Sequence, residues 1–122
     1  MAEITMGNLY DFNKNAMGQL KPLDPIEFNL KAKEVGNDII SANSKYWMLL
    51  CHERRDYTVF HITGGIDSFV KEFCPTLLNR GKVVSIDKQE DGNYEIWIRD
   101  SLTSENFAYY LFDYSFGIVE VE

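Results

Sequence analysis

Hydrophobic residues recur with helical spacing in the segment that follows residue 23. Asp24 is placed as an N-cap and Pro25 as the first helical residue, so we expect a helix from about residue 25 to 43. Gly36 should weaken its middle by about 1 kcal/mol relative to alanine. The apolar stripe of this helix consists of Phe28, Ala32, Val35 and Ile39, joined by Ile40.

A second helical pattern lies in the stretch GGIDSFVKEFCPTLLNRG. Pro75 is expected to kink this helix or divide it in two, because proline lacks the N–H that a helix interior needs. Gly81 provides a stop at its C-terminal end. The apolar residues at helical spacing are Ile66, Phe69, Val70, Phe73 and Leu77.

Between the two helices, KYWMLLCHERRDYTVFHIT predicts a β-hairpin with a polar turn at residues 53–56. Centring the turn on Arg54 and Arg55 pairs His52 with Tyr57 and places Met48 opposite His61. Both faces of both runs are apolar, which predicts two central strands covered on each side.

The second hairpin is predicted by KVVSIDKQEDGNYEIWIRD, in which Asp91-Gly92 is a type I′ turn signal. This turn places Lys88 opposite Glu95 and Ile86 opposite Trp97. The tail NFAYYLFDYSFGIVEVE adds one or two more strands, with a turn at residues 113–117.

These elements predict one α+β domain over residues 24–122, with a mostly antiparallel sheet of five to six strands and two helices. Residues 1–23 read as a tether or a short docking helix, because Met6, Leu9, Tyr10, Asn13 and Met17 have helical spacing.

Charge is distributed unevenly along the 122 residues, whose formal net charge is -7. Residues 1–61 hold eight acids and seven bases, whereas residues 62–122 hold eleven acids and five bases. Such a second half repels a phosphate backbone, so direct nucleic-acid binding is not expected. It suits a basic partner, or simply solubility.

The stretch CHERRDYTVFHI concentrates reactive residue types, but its geometry argues against a catalytic or metal site. Cys51 and His52 are neighbours on a strand and point to opposite faces, so they do not form a nucleophile–base pair. The predicted register holds His52 and His61 roughly 13 Å apart, too far to share a metal. Cys51 is expected to be a buried packing residue.

Other motifs give no enzyme signature, so we expect a non-enzymatic protein without a cofactor or metal. Thr63-Gly64-Gly65 lies between a strand and a helix, where backbone N–H groups bind anions. The Walker lysine is missing, and Asp67 would cap the helix and repel a phosphate. A nucleotide site that uses this loop together with Arg54 and Arg55 stays open as an alternative.

Four stretches together carry a resemblance: MGNLYDFNKNAM, KYWMLLCHERRDYTVFHI, LLNRGKVVSID with YEIWIRD, and AYYLFDYSFGIVEVE. They resemble a group of small proteins encoded by bacteriophages and prophages of Gram-positive bacteria. The resemblance implies an accessory protein that inhibits host defence, as anti-CRISPR and anti-restriction proteins do.

The lead hypothesis is therefore a phage protein that binds a host defence protein, a CRISPR effector with a basic channel, by mimicking DNA with carboxylates. Its contact residues would be Asp87, Glu90, Asp91, Glu95 and Asp100 on the second hairpin, with Arg54 and Arg55 as contacts for an acidic group.

Two other functions stay open: sequestering a nucleotide second messenger, and self-association through the aromatic residues, for which a dimer is one form. The polar N-terminus, the absence of an apolar run of about 20 residues and two cysteines without a disulfide pattern predict the cytoplasm of the infected bacterial cell.

Overall fold

A computed structural model describes residues 21–114 of the chain. Its five strands form one sheet in the order β2-β1-β5-β4-β3, and every neighbouring pair is antiparallel. The expected α+β class, with two helices and one antiparallel sheet, is confirmed. The elements are α1 (Pro25–Ala42), β1 (Tyr46–Cys51), β2 (Asp56–His61), α2 (Ile66–Leu78), β3 (Lys82–Lys88), β4 (Tyr94–Arg99) and β5 (Asn106–Asp113).

Helix α1 begins as its sequence predicts. The Asp24 carboxylate accepts a hydrogen bond of 2.8 Å from the N–H of Glu27, and Pro25 occupies the first turn. Gly36 is buried because α1 and α2 approach each other there: a Cβ at this position would lie 3.1 Å from Ile66 Cγ2. The glycine that weakens the isolated helix thus permits close helix packing.

Helix α2 differs from the prediction at its N-terminal end. Its N-cap is Gly65, which has no side chain to accept a capping bond, and Asp67 lies in the first turn. The expected cap by Asp67 is therefore wrong. Pro75 lies inside the helix and does not divide it, since α2 continues to Leu78. Just past this end, the N–H of Arg80 donates a hydrogen bond to the Leu77 carbonyl.

Both helices pack on one face of the sheet, which we call the inner face, and the core lies between them and it. The alternation of side chains along each strand sends every second residue into this core. Core residues from the helices are Phe28, Ala32, Val35, Ile39, Phe69, Phe73 and Leu77. Those from the strands include Trp47, Leu49, Cys51, Phe60, Ile86, Tyr94, Ile96, Ile98, Tyr109 and Leu111.

The first hairpin pairs in a register two residues away from the predicted one. Cys51 lies opposite Asp56, and Tyr46 opposite His61. The strands are joined by a four-residue turn, 52–55, in which Arg55 takes a positive φ of 52°. The prediction was wrong because the turn begins one residue earlier than a turn centred on Arg54 and Arg55 requires.

Strand β2 is an edge strand, which corrects the expectation of two central strands. Its Phe60 is fully buried, but Tyr57 and His61 are exposed. The apolar residues on the second face of this hairpin are thus not covered by either helix. Strand β1 is interior to the sheet, as expected, between β2 and β5.

The second hairpin is shifted by one residue relative to the prediction. Asp87 lies opposite Glu95, and Ser85 opposite Trp97. The turn is not type I′: Gln89 N–H donates to Asn93 C=O, and only Gly92 has a positive φ, 89°. Type I′ needs two such residues, whereas a three-residue loop that closes on a left-handed residue needs one. Because side chains alternate between the two faces of a sheet, a shift of one residue puts the side chains of β3 on the opposite face relative to those of β4.

Two predictions fall largely outside the described residues. The tether or docking helix at residues 1–23 is described only at its end, where Leu23 N–H donates a 2.8 Å bond to Val83 C=O. A further strand after the predicted turn at 113–117 also lies outside, so the described part of the tail is β5 alone.

Candidate functional site

The face of the sheet opposite the two helices, here called the outer face, is divided between apolar and acidic side chains. One row across the five strands shows this division, because the registers align Tyr57, Leu50, Tyr110, Glu95 and Asp87 from β2 to β3. Its first three members are aromatic or aliphatic and its last two are carboxylates. The next row continues the apolar part with Val59, Met48 and Phe112.

The acidic part of this face places like charges side by side. Asp87 and Glu95 are direct cross-strand partners, an arrangement that destabilises a sheet by roughly 0.2–1 kcal/mol. Among residues 21–114, neither carboxylate belongs to an ion pair; Lys88, the nearest cation in sequence, pairs with Asp38 instead. Glu95 accepts a 3.2 Å bond from Trp97 Nε1. The two negative charges therefore remain uncompensated.

The tip of the acidic hairpin borders a surface groove of about 580 Å³. The groove combines aromatic side chains with polar ones, and Asp91 contributes a carboxylate that is held by two hydrogen bonds from Asn93, 3.0 and 3.1 Å. Glu90 is exposed beside it. The lining residues are Leu50, His52, Gln89, Asp91, Asn93, Tyr110 and Phe112.

Arg54 and Asp100, two of the predicted contact residues, bind each other. Arg54 Nη2 lies 2.8 Å from Asp100 Oδ2, and its guanidinium stacks over the Phe107 ring at 4.8 Å. The Asp100 carboxylate also accepts bonds from the N–H groups of Leu102 and Thr103, which lower its pKa. Both side chains thus have an internal structural role, and their use in partner binding stays a prediction.

A second ion pair continues this network across the end of the sheet. Arg80 donates two hydrogen bonds to Asp56, 2.7 and 3.0 Å, and Tyr109 donates one of 2.8 Å to the same carboxylate. Partial burial acts to raise the pKa of Asp56, but the bonds from Arg80 and Tyr109 outweigh it and hold the pKa below its usual range. Burial and Asp56 together raise the pKa of Tyr109.

This network has no direct signal in the sequence, since its hydrogen-bonded partners are 24 to 55 residues apart. Arg54 Nη1 bonds to the Tyr109 hydroxyl at 3.2 Å and so joins the two ion pairs. The only hint was the placement of two arginines and an aspartate at one hairpin turn. Arg55, by contrast, is exposed and stays a candidate contact.

The cysteine and histidines of CHERRDYTVFHI are separated as expected. Cys51 is fully buried in the core beside Leu49, which confirms it as a packing residue. His52 lies in the turn, while His61 stacks on Tyr46 at the other end of the hairpin, with ring centroids 4.6 Å apart. Within residues 21–114, no group of three or more histidine, cysteine and acidic side chains is placed to hold a metal.

Thr63 and Gly64 of the Thr63-Gly64-Gly65 loop line a cavity of only about 70 Å³, whereas small-molecule sites measure roughly 300–1,000 Å³. Its lining includes Glu72 and no lysine or arginine. Arg54 and Arg55 lie at the opposite end of β2, about 17 Å away by strand rise. The structure therefore does not bring Arg54 and Arg55 together with the Thr63-Gly64-Gly65 loop, as the nucleotide hypothesis requires.

A cavity of about 380 Å³ between α1 and the second hairpin was not predicted. At its wall the Tyr94 hydroxyl donates to Asp38, which also pairs with Lys88 at 3.1 Å. The Tyr94 bond lowers the pKa of Asp38, and burial with Asp38 raises the pKa of Tyr94. Tyr94 therefore stays protonated and serves as a donor rather than a nucleophile.

Comparison of the chain with protein-family models, with curated proteins and with solved structures finds no significant match. No helix within residues 21–114 is both long enough and apolar enough to cross a membrane.

Proposed function

We propose that the protein is a non-enzymatic phage or prophage accessory protein that binds a basic host defence protein through its acidic hairpin, β3–β4. The observation that carries this proposal is the pair formed by Asp87 and Glu95. The two carboxylates stand directly opposite each other on the outer face, and no cation of the described residues is bonded to either. A basic partner would relieve their repulsion on binding.

The target in this proposal is a CRISPR effector nuclease, and the acidic hairpin competes for its DNA channel. Cross-strand partners lie about 5 Å apart, and Glu90 and Asp91 extend the negative charge to the hairpin tip. Lysines and arginines that line a DNA channel bind phosphates, and closely spaced carboxylates offer them the same charge. The resemblance to phage proteins supports the choice of a host defence target.

The apolar part of the outer face supports a protein partner over a free ion. Tyr110 is exposed directly beside Glu95, and the exposed Tyr57 lies farther along the same row of the outer face, on β2. An aromatic patch rimmed by charged groups is typical of protein interfaces, because rings supply buried area while the rim sets specificity. The place of action in this proposal is the cytoplasm of the infected cell, where Cys51 and Cys74, both free thiols, stay reduced.

The proposal is tested with a hairpin variant that neutralises four carboxylates with nearly isosteric amides: Asp87→Asn, Glu90→Gln, Asp91→Asn and Glu95→Gln. Wild-type protein is first used to capture its target from lysates of cells that carry defence systems. Target binding and inhibition of DNA cleavage are then measured for both proteins. The hairpin variant should lose at least about tenfold in affinity while remaining folded, because removal of the repulsive pair offsets the loss of one Asp91–Asn93 hydrogen bond.

The matched control neutralises four exposed acids elsewhere: Glu53→Gln, Asp67→Asn, Glu72→Gln and Glu105→Gln. Both variants change the formal net charge from -7 to -3, so a loss confined to the hairpin variant separates a local contact from general charge. Binding should also weaken as ionic strength rises. Full inhibition by the hairpin variant contradicts the proposal.

A further inference from the structure

The two edge strands of the sheet are protected unequally against pairing with another strand. Edge β3 has a register irregularity between Val83 and Ser85, lysines at both ends, and a backbone bond from Leu23 N–H to Val83 C=O. Bulges, lysines and covering chain are the devices by which proteins block edge strands. Edge β2, with the sequence DYTVFH, contains no lysine, proline or irregularity.

The unpaired backbone groups of β2 are identified by one hydrogen bond. Ile62 N–H donates to Lys45 C=O at 2.7 Å, so these opposite residues form a hydrogen-bonded pair. Pairs alternate along an antiparallel ladder, which makes Phe60, Thr58 and Asp56 the residues that bond to β1.

The N–H and C=O groups of Tyr57, Val59 and His61 therefore point away from β1. Within residues 21–114 no backbone group pairs with them. Tyr57 has 63% of its surface exposed, and His61 is exposed as well, so the strand edge is accessible. It offers three donors and three acceptors in a row.

We propose that this edge pairs antiparallel with β2 of a second copy of the chain, which joins two sheets into one of ten strands. A twofold axis at Val59 places the two Val59 residues opposite each other and Tyr57 opposite His61 of the other copy. All three outward-pointing residues of each copy then form hydrogen-bonded pairs, giving six backbone hydrogen bonds. An axis at Thr58 gives only four, because Tyr57 and Val59 alone find outward-pointing partners. The register is therefore determined by the backbone.

Charge does not prevent a second copy from occupying this edge. Asp56 is the one acidic residue of β2 and is already paired with Arg80 of its own chain, so antiparallel pairing brings no unpaired like charges of the two β2 strands together. The acidic hairpins lie at the far edges of both sheets, with the two β4 strands about 34 Å apart at a strand spacing of about 4.8 Å. Salt screens charges beyond about 8 Å, so the net charge of -7 on each copy opposes the contact only weakly.

The dimer rests on the backbone of β2 and is independent of the proposed function. It would present two acidic hairpins, one at each end of the ten-stranded sheet. A partner with two basic sites could then engage both, which raises overall affinity without a new contact.

The test measures the mass of the full chain in solution by sedimentation equilibrium over a range of concentrations. Wild type should approach twice 14.2 kDa as concentration rises. Val59→Pro removes an outward N–H and no bond to β1, so it should remain folded by circular dichroism and stay monomeric. Tyr57→Lys, at an exposed side chain, should also shift the protein toward monomer. Leu102→Lys, 94% exposed in the β4–β5 loop, adds the same charge elsewhere and should leave the dimer intact.

Each result decides the proposal. A wild-type protein that stays monomeric at every concentration overturns it, and so does a folded Val59→Pro protein that still dimerises. If Val59→Pro fails to fold, Tyr57→Lys and Tyr110→Glu decide together, because both side chains lie on the outer face but only Tyr57 is on the edge strand. Loss of the dimer in Tyr57→Lys alone supports pairing at the edge, and loss in both variants overturns it. A dimer that survives both changes but is lost in Tyr110→Glu places the contact on the outer face and overturns pairing at the edge.

Discussion

Arg80 links helix α2 to strand β2, and its removal is the sharpest test of how these two elements are held together. Its guanidinium donates to both oxygens of Asp56, to Thr58 Oγ1 at 2.6 Å and to the Thr76 carbonyl at 2.8 Å. These bonds connect the C-terminal end of α2 to the edge strand β2. We predict that Arg80→Ala lowers the free energy of unfolding more than any exposed arginine does.

The magnitude follows from the exposure of the two charged groups. Removing one partner of a buried ion pair costs about 3–5 kcal/mol, because the other charge is left uncompensated. The Asp56 side chain is 32% exposed and keeps its bond from Tyr109, so water and the hydroxyl replace part of what is lost. The expected loss is therefore about 2–3 kcal/mol.

The assay is urea denaturation followed by circular dichroism, with Arg55→Ala as the matched control. Arg55 is exposed and forms no ion pair within the described residues, so its loss should stay within about 0.5 kcal/mol. In Arg80→Ala combined with Asp56→Asn, the loss should be smaller than the sum of the two single losses, since they share one contact. A loss for Arg80→Ala no larger than that of the control refutes the reasoning.

The remaining predictions concern pH and one glycine. The pKa of Asp56 is lower in the folded than in the unfolded protein, so its stabilising effect is complete above about pH 4 and is lost as pH falls through the folded pKa. In urea denaturation at decreasing pH, the free energy of unfolding of Asp56→Asn should therefore fall less steeply than that of wild type. An equally steep fall in both proteins contradicts the assignment. Gly81 has a φ of 146°, and a Cβ there would lie 2.2 Å from the Arg99 carbonyl oxygen, so Gly81→Ala should cost more than about 2 kcal/mol in the same assay. In Gly65→Ala a Cβ would meet nothing within 4 Å, so the loss should be limited to the N-cap preference for glycine over alanine, about 1 kcal/mol or less. Equal losses for the two variants would show that the close approach at Gly81 does not matter.

The helices and strands themselves were predictable because their signals are local. Asp24 and Pro25 define the start of α1 within four residues, and the stripe from Phe28 to Ile39 is the face that the structure buries. Alternating and apolar runs likewise located all five strands of residues 21–114. Each of these inferences needs only the spacing of residues close in sequence.

Strand registers were not predictable from the same pattern. In the first hairpin a positive φ at Arg55, and in the second a single positive φ at Gly92, select turns that differ from the expected ones. The energy difference between such turns is small compared with the packing of the strands they join, so tertiary contacts select among them. The shift of the second hairpin placed Asp87, rather than the predicted Lys88, opposite Glu95.

The acidic hairpin shows which properties are determined by the sequence alone and which by the tertiary structure. The sequence by itself determined that residues 87–95 form an acidic hairpin within an α+β domain, because turn residues and alternation are local properties. Only the tertiary structure decided that Asp87 and Glu95 stand opposite each other, that Asp100 is paired with Arg54, and that β2 is an edge. These outcomes depend on contacts between residues far apart in the sequence, such as Trp47 of β1 and Asp113 of β5, whose alignment is set by how the helices and strands pack together.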